Sequence, residues 1–430
     1  MSKQNILSTA ISLIPFSYIL GTFVLNINLL FITISGFILF FQGNRLKLIA
    51  LDKLIFLFFA YTIFTGTWNT IEYYYFENVK NYDFTIAIKT LLFLRYLLFY
   101  LAIRLLIEKN LINYKVVFYS FSALSLFVSL DVIFQFFYGK DIFGLTSPYP
   151  YKTTGPFYTE AVAGGFIQKF SFFLFFTFVL FIKIENLRTK IIILTLLFFI
   201  TLLSIILSGN RMPLLLFLFG VFLIFLNNKT LKKYIFHILI LAFLMSAITV
   251  GSSNKLKGYY DTFYISSKNI INLYSYRILS IGKDLDIIHR PFYIHEFDTG
   301  VGTWKMNKYF GGGIKSFRYN CPKREIMSKH ERIKCNMHPH NYYLEILVDL
   351  GIVGFFIFLT IAIQALKESY KAMSFEKVKY IISPFFYIFL IEVFPIRSSG
   401  SFFTSNNAVF IFLVLASIVG LSQNLNKISD

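Results

Sequence analysis

The chain has 430 residues, 56% of them hydrophobic and 20% aromatic, with a net charge of +19 and a mean hydropathy of +0.65. That much apolar surface excludes a water-soluble domain and calls for bilayer-spanning segments of roughly 20 apolar residues each. The basic excess does not point to nucleic acid, because much of the Lys and Arg falls in short connectors between apolar runs, as the positive-inside rule requires.

The apolar runs cover about 8–24, 27–42, 54–69, 88–107, 116–138, 161–182, 190–208, 213–226, 234–252, 342–365, 380–396 and 408–424. They are continuous rather than alternating, so they read as helices and not as barrel strands. The expected fold is an all-α polytopic membrane protein of about 12 transmembrane helices, a single integral membrane domain over residues 1–430. The start, MSKQN, leads straight into an apolar run without a small-residue cleavage site. With the N-terminus inside, GNRLKLIALDK, IEKNLINYK, KIENLRTK, NNKTLKK and KESYKAMSFEKVK all fall in the cytoplasm, as do both termini. One long extracytoplasmic loop, residues 253–340 between the ninth and tenth helices, falls outside. A loop of more than ~60 residues is exempt from the charge rule, and its basic character points to an anionic ligand.

Arg95 and Asp131 fall inside the fourth and fifth runs, where charges are costly unless paired or facing a wet cavity. An ion pair between the two helices is the expected arrangement, with a substrate contact as the alternative. Glu160, beside the small-residue run Ala161–Gly165, is read either as a helix-start carboxylate or as a second acid or base. Arg211 sits in the tight turn LSGNRMP, with Pro213 starting the next helix. It either snorkels or binds substrate; Gly209 beside it leaves backbone N–H groups approachable, which favours binding.

In the long loop, Tyr274, Ile278, Ile281, Leu285 and Ile288 repeat at helical spacing before Pro291. This predicts an amphipathic helix over 268–289 on the membrane surface or capping the bundle. Arg277 lies on it, and Gly300 and Gly302 follow as Gly-Val-Gly. The two cysteines, Cys321 and Cys335, both lie in this loop. Outside the cytoplasm they read as a disulfide. A zinc set with His338 and His340 is the competing reading, disfavoured because structural zinc sites pair ligands at short spacings. His237, His289, His295 and His330 form no tight ligand spacing.

The loop re-enters the membrane through HPHNYYLEILVDLGIVGFFIFL, residues 338–359. Pro339 can begin a helix, which would make His340 a first-turn residue heading a stripe of Leu344, Leu347, Gly351 and Gly354. The glycines would admit a neighbouring helix, and the imidazole would be held as a base. The bland alternative is that His338 and His340 only cap the helix. Glu392 and Arg397, near the end of the eleventh run, are open to either a structural or a functional reading.

His340-Asn341, nine residues, Gly351, two residues, Gly354 resembles the His-Asn-x9-Gly-x-x-Gly signature of the O-antigen ligase and polymerase family. The segment around Asp131 and Gln135 leading to TTGPFYTEAVAGGF, the Arg211 turn, Arg277 with Gly300 and Gly302, and the closing FPIRSSGSFFTSNN resemble it as well. The chain departs from the family at Asn210 and Met212, which flank Arg211, and at Glu160, where Asn is frequent.

The resemblance implies a metal-independent, inverting glycosyltransferase without cofactor in the bacterial inner membrane, its active site facing the periplasm. It would move a polysaccharide from undecaprenyl diphosphate to a hydroxyl of the lipid A core, or, as a polymerase, to a growing glycan. His340 would activate the acceptor, Arg211 and Arg277 would grip the diphosphate, and His338, Asn341, Gly300 and Gly302 would complete the binding site. A transporter of lipid-linked sugars is the reading from another class; it would rest on Arg95 and Asp131 near the midplane and on inverted repeats, which the sequence lacks.

Overall fold

A computed structural model describes residues 3–75, 84–228, 232–279, 292–324, 335–395, 397 and 400–423. Among these the chain is helical, with no strand. The first nine apolar runs form α1 (Lys3–Ser12), α2 (Ile14–Leu20), α3 (Thr22–Phe41), α4 (Ala50–Tyr75), α5 (Thr85–Phe93), α6 (Arg95–Glu108), α7 (Tyr114–Tyr138), α8 (Ala163–Leu180), α9 (Leu187–Leu207), α10 (Arg211–Asn227) and α11 (Ile235–Gly251). The long segment that follows carries α12 (Asn254–Leu279), α13 (Phe292–Trp304) and α14 (Phe317–Asn320). The last three runs are α15 (Tyr342–Ala372), α16 (Glu376–Glu392) and α17 (Ser405–Gln423).

Each expected span is thus helical, but the expected count of about 12 is not reached by length. Among the described residues nine helical stretches are long and apolar enough to cross a bilayer. The first run is divided into α1 and α2, α10 is short, and α16 has 17 residues with Pro384 inside. The bundle is organised around α17, buried at every position from Ala408 to Ser422, as a helix apolar on all sides must be. It packs on α6, α15 and α16.

The connectors gather at two ends, as alternating spans require. At one end Gln4 Nε2 donates to the Asn110 carbonyl (3.3 Å), and the Lys47 amide to Glu108 Oε2 (3.3 Å). At the other, the links after α7, α9 and α16 meet the long segment. Asn210 Nδ2 donates to the Ala161 carbonyl (3.0 Å) and Asn341 Nδ2 to the Pro395 carbonyl (2.9 Å).

The expected Arg95–Asp131 pair does not form. Arg95 Nη2 donates to Tyr96 OH (2.7 Å) and Ser405 Oγ (3.2 Å). Asp131 accepts from the Ile142 amide (2.8 Å), stapling the turn after α7. The buried fork lies elsewhere. Arg104 Nε and Nη2 each sit 3.2 Å from an oxygen of Asp52, which also accepts from Tyr100 OH (2.6 Å). Burial demands a partner for each of these charges, but sequence spacing does not say which one.

Of the expected surface helix over 268–289, residues 268–279 are helical within α12, which starts earlier, at Asn254, three residues after α11 ends at Gly251; residues 280–289 lie outside the described residues. Ile281, Leu285 and Ile288, and the side chain of Arg277, lie outside the described residues. Gly300 and Gly302 form no turn; both sit inside α13. A Cβ on Gly300 would come within 3.2 Å of Leu344 and 3.3 Å of Pro339, and one on Gly302 within 2.5 Å of Arg324. They let α13 lie directly on the start of α15.

Helix α15 is broken at Gly351, which has φ 65° and ψ −170°. The gap is filled by residues 308–313. The Gly312 amide donates to the Val348 carbonyl (3.0 Å), Gly313 to Asp349 (2.8 Å), and the Ile352 amide to the Lys308 carbonyl (2.9 Å). Gly351 therefore admits a loop, not the neighbouring helix that the stripe predicts. A Cβ there would stand 2.3 Å from the Tyr309 carbonyl oxygen. Gly354 does face a helix: its Cβ would meet Tyr61 of α4 at 3.0 Å. Gly351→Ala is expected to cost about 1–3 kcal/mol from the positive φ alone, and more from the clash. Thermal unfolding in detergent reads this; an unchanged melting temperature would refute the break as a close-packed joint.

Candidate active site

The His-Pro-His-Asn stretch is not the first turn of a helix. Asn341 is the N-cap of α15, its Oδ1 accepting from the Tyr343 (2.9 Å) and Leu344 (3.1 Å) amides. Its Nδ2 reaches the Pro395 and Arg397 carbonyls (2.9 and 3.2 Å). Such a cap satisfies amides that the helix leaves unpaired. Asn341 thus has a structural task, tying the entry of α15 to the link between α16 and α17. His340 lies before the cap with φ 50°, a left-handed conformation that non-glycine residues hold mainly at special sites. It therefore stands apart from the stripe of Leu344, Leu347, Gly351 and Gly354.

The two imidazoles face one another with centroids 4.4 Å apart. His340 Nε2 is 3.7 Å from Glu296 Oε1 of α13, and Asn336 Nδ2 donates to the same oxygen (2.8 Å). His338 lines a cavity of about 360 Å³ among α8, α10 and the link before α17. Its Nε2 is buried and has no hydrogen-bond partner among the described residues. Burial, then His340, Lys315 and Arg318, hold the His338 ring down to about 3. A ring so reluctant to take a proton stays neutral through the physiological range.

That shift has a consequence for stability. The unfolded ring takes a proton below about 6.5, while the folded ring does not until about 3. The contribution of His338 is therefore whole above pH 6.5 and is lost as pH falls from 6.5 towards 3. The loss is at most about 1.4 kcal/mol per pH unit. His338→Asn is expected to gain on wild type between pH 7.5 and pH 5 by that slope. Parallel thermal-unfolding profiles for the two proteins would refute it.

The same cavity is walled by Lys169 and Arg397, with Asn210 and Glu160. Arg397 Nη1 lies 2.5 Å from Glu392 Oε1, and Lys169 Nζ 3.9 Å from Glu392 Oε2, all three buried. Arg397 also stacks over Tyr342 at 4.8 Å, and Lys169 donates to Asn407 Oδ1 (2.6 Å). Two buried cations share one carboxylate. Glu392 and Arg397, ambiguous by position, are thus a buried pair on the cavity wall. Lys169 escaped the sequence reading, although a lone Lys among the phenylalanines of α8 is itself the signal, because such a charge needs partners. Glu160 is exposed at the rim, three residues before α8 starts at Ala163.

Arg211 is not part of this wall. It opens α10, stacks on Tyr259 of α12 at 3.6 Å and donates to the Tyr259 carbonyl (2.6 Å). Gly209 beside it has φ 69°, with the Tyr151 carbonyl 2.7 Å from where a Cβ would stand. The approach that this glycine permits is made by the chain itself. Next to Arg211, Asn210 accepts from the Gly164 amide (3.0 Å) and holds the start of α8. Lys152, also close to Arg211, is held below the usual lysine range by burial and then by that guanidinium.

Two carboxylates of α15 that sequence reading passed over hold the surroundings. Glu345 accepts from Ser401 Oγ (2.5 Å) and the Phe402 amide (2.6 Å). Asp349 accepts from the Lys315 (2.8 Å) and Ser316 (3.1 Å) amides and from Ser316 Oγ (2.9 Å). Spaced four apart, they lie on one face of the helix. Cys321 and Cys335 are joined as a disulfide, which removes them as thiolate ligands for zinc.

No curated protein matches the chain. Residues 196–359 match the family described as O-antigen ligase. The matched stretch runs from α9 into α15 and contains Arg211, Arg277, both cysteines and the His340–Gly354 motif, while Lys169 and Arg397 lie outside it. Over residues 196–359, less than half of its length, the chain is therefore similar to the O-antigen ligase family.

Proposed function

We propose that this protein is an inverting, metal-independent glycosyltransferase of the ligase type. It would move a polysaccharide from undecaprenyl diphosphate to a hydroxyl of a lipid A-core acceptor, at the periplasmic face of the inner membrane. The observation that carries this reading is the convergence of Lys169, Arg397 and neutral His338 on one cavity, beside the paired His340 and Glu296. Cations held in a buried wall favour the diphosphate and the charge that grows on it as it leaves.

The acceptor oxygen attacks the anomeric carbon from the face opposite the diphosphate. The carbon–oxygen bond to the diphosphate breaks, the electron pair leaves with undecaprenyl diphosphate, and the hydroxyl proton passes to His340. Glu296, 3.7 Å away, stabilises the imidazolium that forms. His338 is too weak a base for this step, since an effective base titrates near the working pH. Its buried Nε2 instead positions a substrate hydroxyl. Arg211 and Arg277 would contact the lipid-linked diphosphate as it approaches from the α10–α12 side.

The test is transfer by purified protein from a synthetic polyprenyl-diphosphate sugar, in EDTA, with lipid A core or a glycan as acceptor. Transfer to lipid A core, reduced roughly 10²–10⁴-fold in His340→Ala, is the expected result. Elongation of the glycan instead would make the protein a polymerase using the same site. Full activity in His340→Ala would overturn the assignment of the base.

A further inference from the structure

We infer that a second cavity, walled by Lys89, Arg95 and Lys315, is an anion-binding subsite for the acceptor, which takes a phosphate or other anionic group carried by the acceptor glycan; this rests on the transferase reading above. The cavity has a volume of about 340 Å³ and shares Thr22, Thr404 and Ser405 with the first one. Among the described residues its lining contains three cations and no carboxylate. All three cations are half-buried.

The described partners of Lys315 and Arg95 do not cancel their charge. Lys315 Nζ donates to Ser401 Oγ (2.7 Å) and lies 3.8 Å from Glu345, so its charge is partly offset. Arg95 has only hydroxyl partners among its described contacts, Tyr96 and Ser405, and its Nε is buried with no hydrogen-bond partner. Lys89 Nζ lies 5.9 Å from the Tyr319 ring. A cation placed only to hold the fold together is expected to meet a carboxylate when withdrawn from water, and Arg95 meets none among the described residues. A lining of one sign raises the local concentration of oppositely charged ligand.

The shared wall says which substrate this is. Ser405, which Arg95 holds, also lines the cavity of Lys169 and Arg397. With the donor diphosphate in the first cavity, an anion in the second belongs to the other substrate. An acceptor anchored there by its charge would extend its hydroxyl across the wall formed by Thr404 and Ser405.

Binding is measured without turnover, using the full-length protein in nanodiscs of phosphatidylcholine. The probes are a lipid-anchored disaccharide with a phosphate monoester, the same disaccharide without it, and a polyprenyl-diphosphate sugar. The phosphorylated disaccharide is expected to bind about tenfold tighter than the neutral one, a difference of about 1.4 kcal/mol. Lys89→Gln with Arg95→Gln is expected to erase that difference and to leave binding of the polyprenyl-diphosphate sugar unchanged. Arg95→Lys, which keeps the charge, should retain most of it and shows that the site tolerates substitution. Equal binding of the two disaccharides by wild type would overturn the proposal. So would co-purified phosphatidylglycerol that is lost from the double variant while the acceptor phosphate has no effect, since the anion would then belong to the bilayer. A failed transfer assay with intact phosphate-dependent binding would overturn the transferase reading and leave the subsite standing.

Discussion

Replacing Arg397 with methionine is expected to lower stability by about 3–5 kcal/mol and to abolish transfer. The side chain is buried with its Nη1 2.5 Å from Glu392 Oε1. Without it, Glu392 keeps only Lys169, at 3.9 Å, and a buried carboxylate loses its nearest counter-charge. Removing one member of a buried pair costs far more than replacing both by apolar groups of similar size. The double variant, Arg397→Met with Glu392→Met, should therefore regain much of the lost stability. It should not regain transfer, because Arg397 also lines the cavity to which we assign the diphosphate. Thermal unfolding and the transfer assay on the three proteins separate the two roles. Recovery of both properties together in the double variant would reduce Arg397 to a packing element. Failure of stability to recover would show that Arg397 holds the entry of α15 mainly through its stacking on Tyr342.

The helices were legible in the sequence because the bilayer imposes length and continuity on each apolar run. The motif at His340 was legible because His, Asn and two glycines hold a fixed spacing. What surrounds them was not. The break at Gly351 depends on a loop more than thirty residues upstream, which exchanges backbone hydrogen bonds with α15, and backbone partners leave little trace in residue type. That Asn341 caps α15 was not legible either, since one amide side chain can cap a helix or meet a substrate. The buried charges were visible as such, but their pairing was not. Arg104 finds Asp52 across helices, and Arg397 finds Glu392 only because the chain turns back after α16. The second cavity was out of reach for the same reason: its three cations come from α5, α6 and the long segment.

Breaking the disulfide should slow transfer by more than it weakens donor binding. Cys321 follows α14, and Cys335 stands three residues before His338. Helix α14 itself follows Lys315 and Ser316, whose amides are held by Asp349. The sulfur bridge therefore ties the segment of the two histidines to the same face of α15 that anchors the loop at Gly351. Its residues are 14 apart in sequence, a loop whose closure is worth about 3 kcal/mol in the chain-entropy account. Cys321→Ser with Cys335→Ser is expected to lose up to that amount. The first turn of α15, held independently by Asn341 and by Glu345, stays in place. Lys169 and Arg397 are likewise untouched, so polyprenyl-diphosphate sugar should bind as before. The histidines lose one of their two anchors, and misplacing a catalytic group by an ångström can cost about 10²-fold in rate. A kcat reduced by tenfold or more with donor KM unchanged is the expected result, reproduced in wild type by reductant and reversed by reoxidation. Equal loss of donor binding and rate would mean that the bridge supports the whole end of the bundle, and an unchanged kcat would mean that α13, through Glu296, is enough to hold His340.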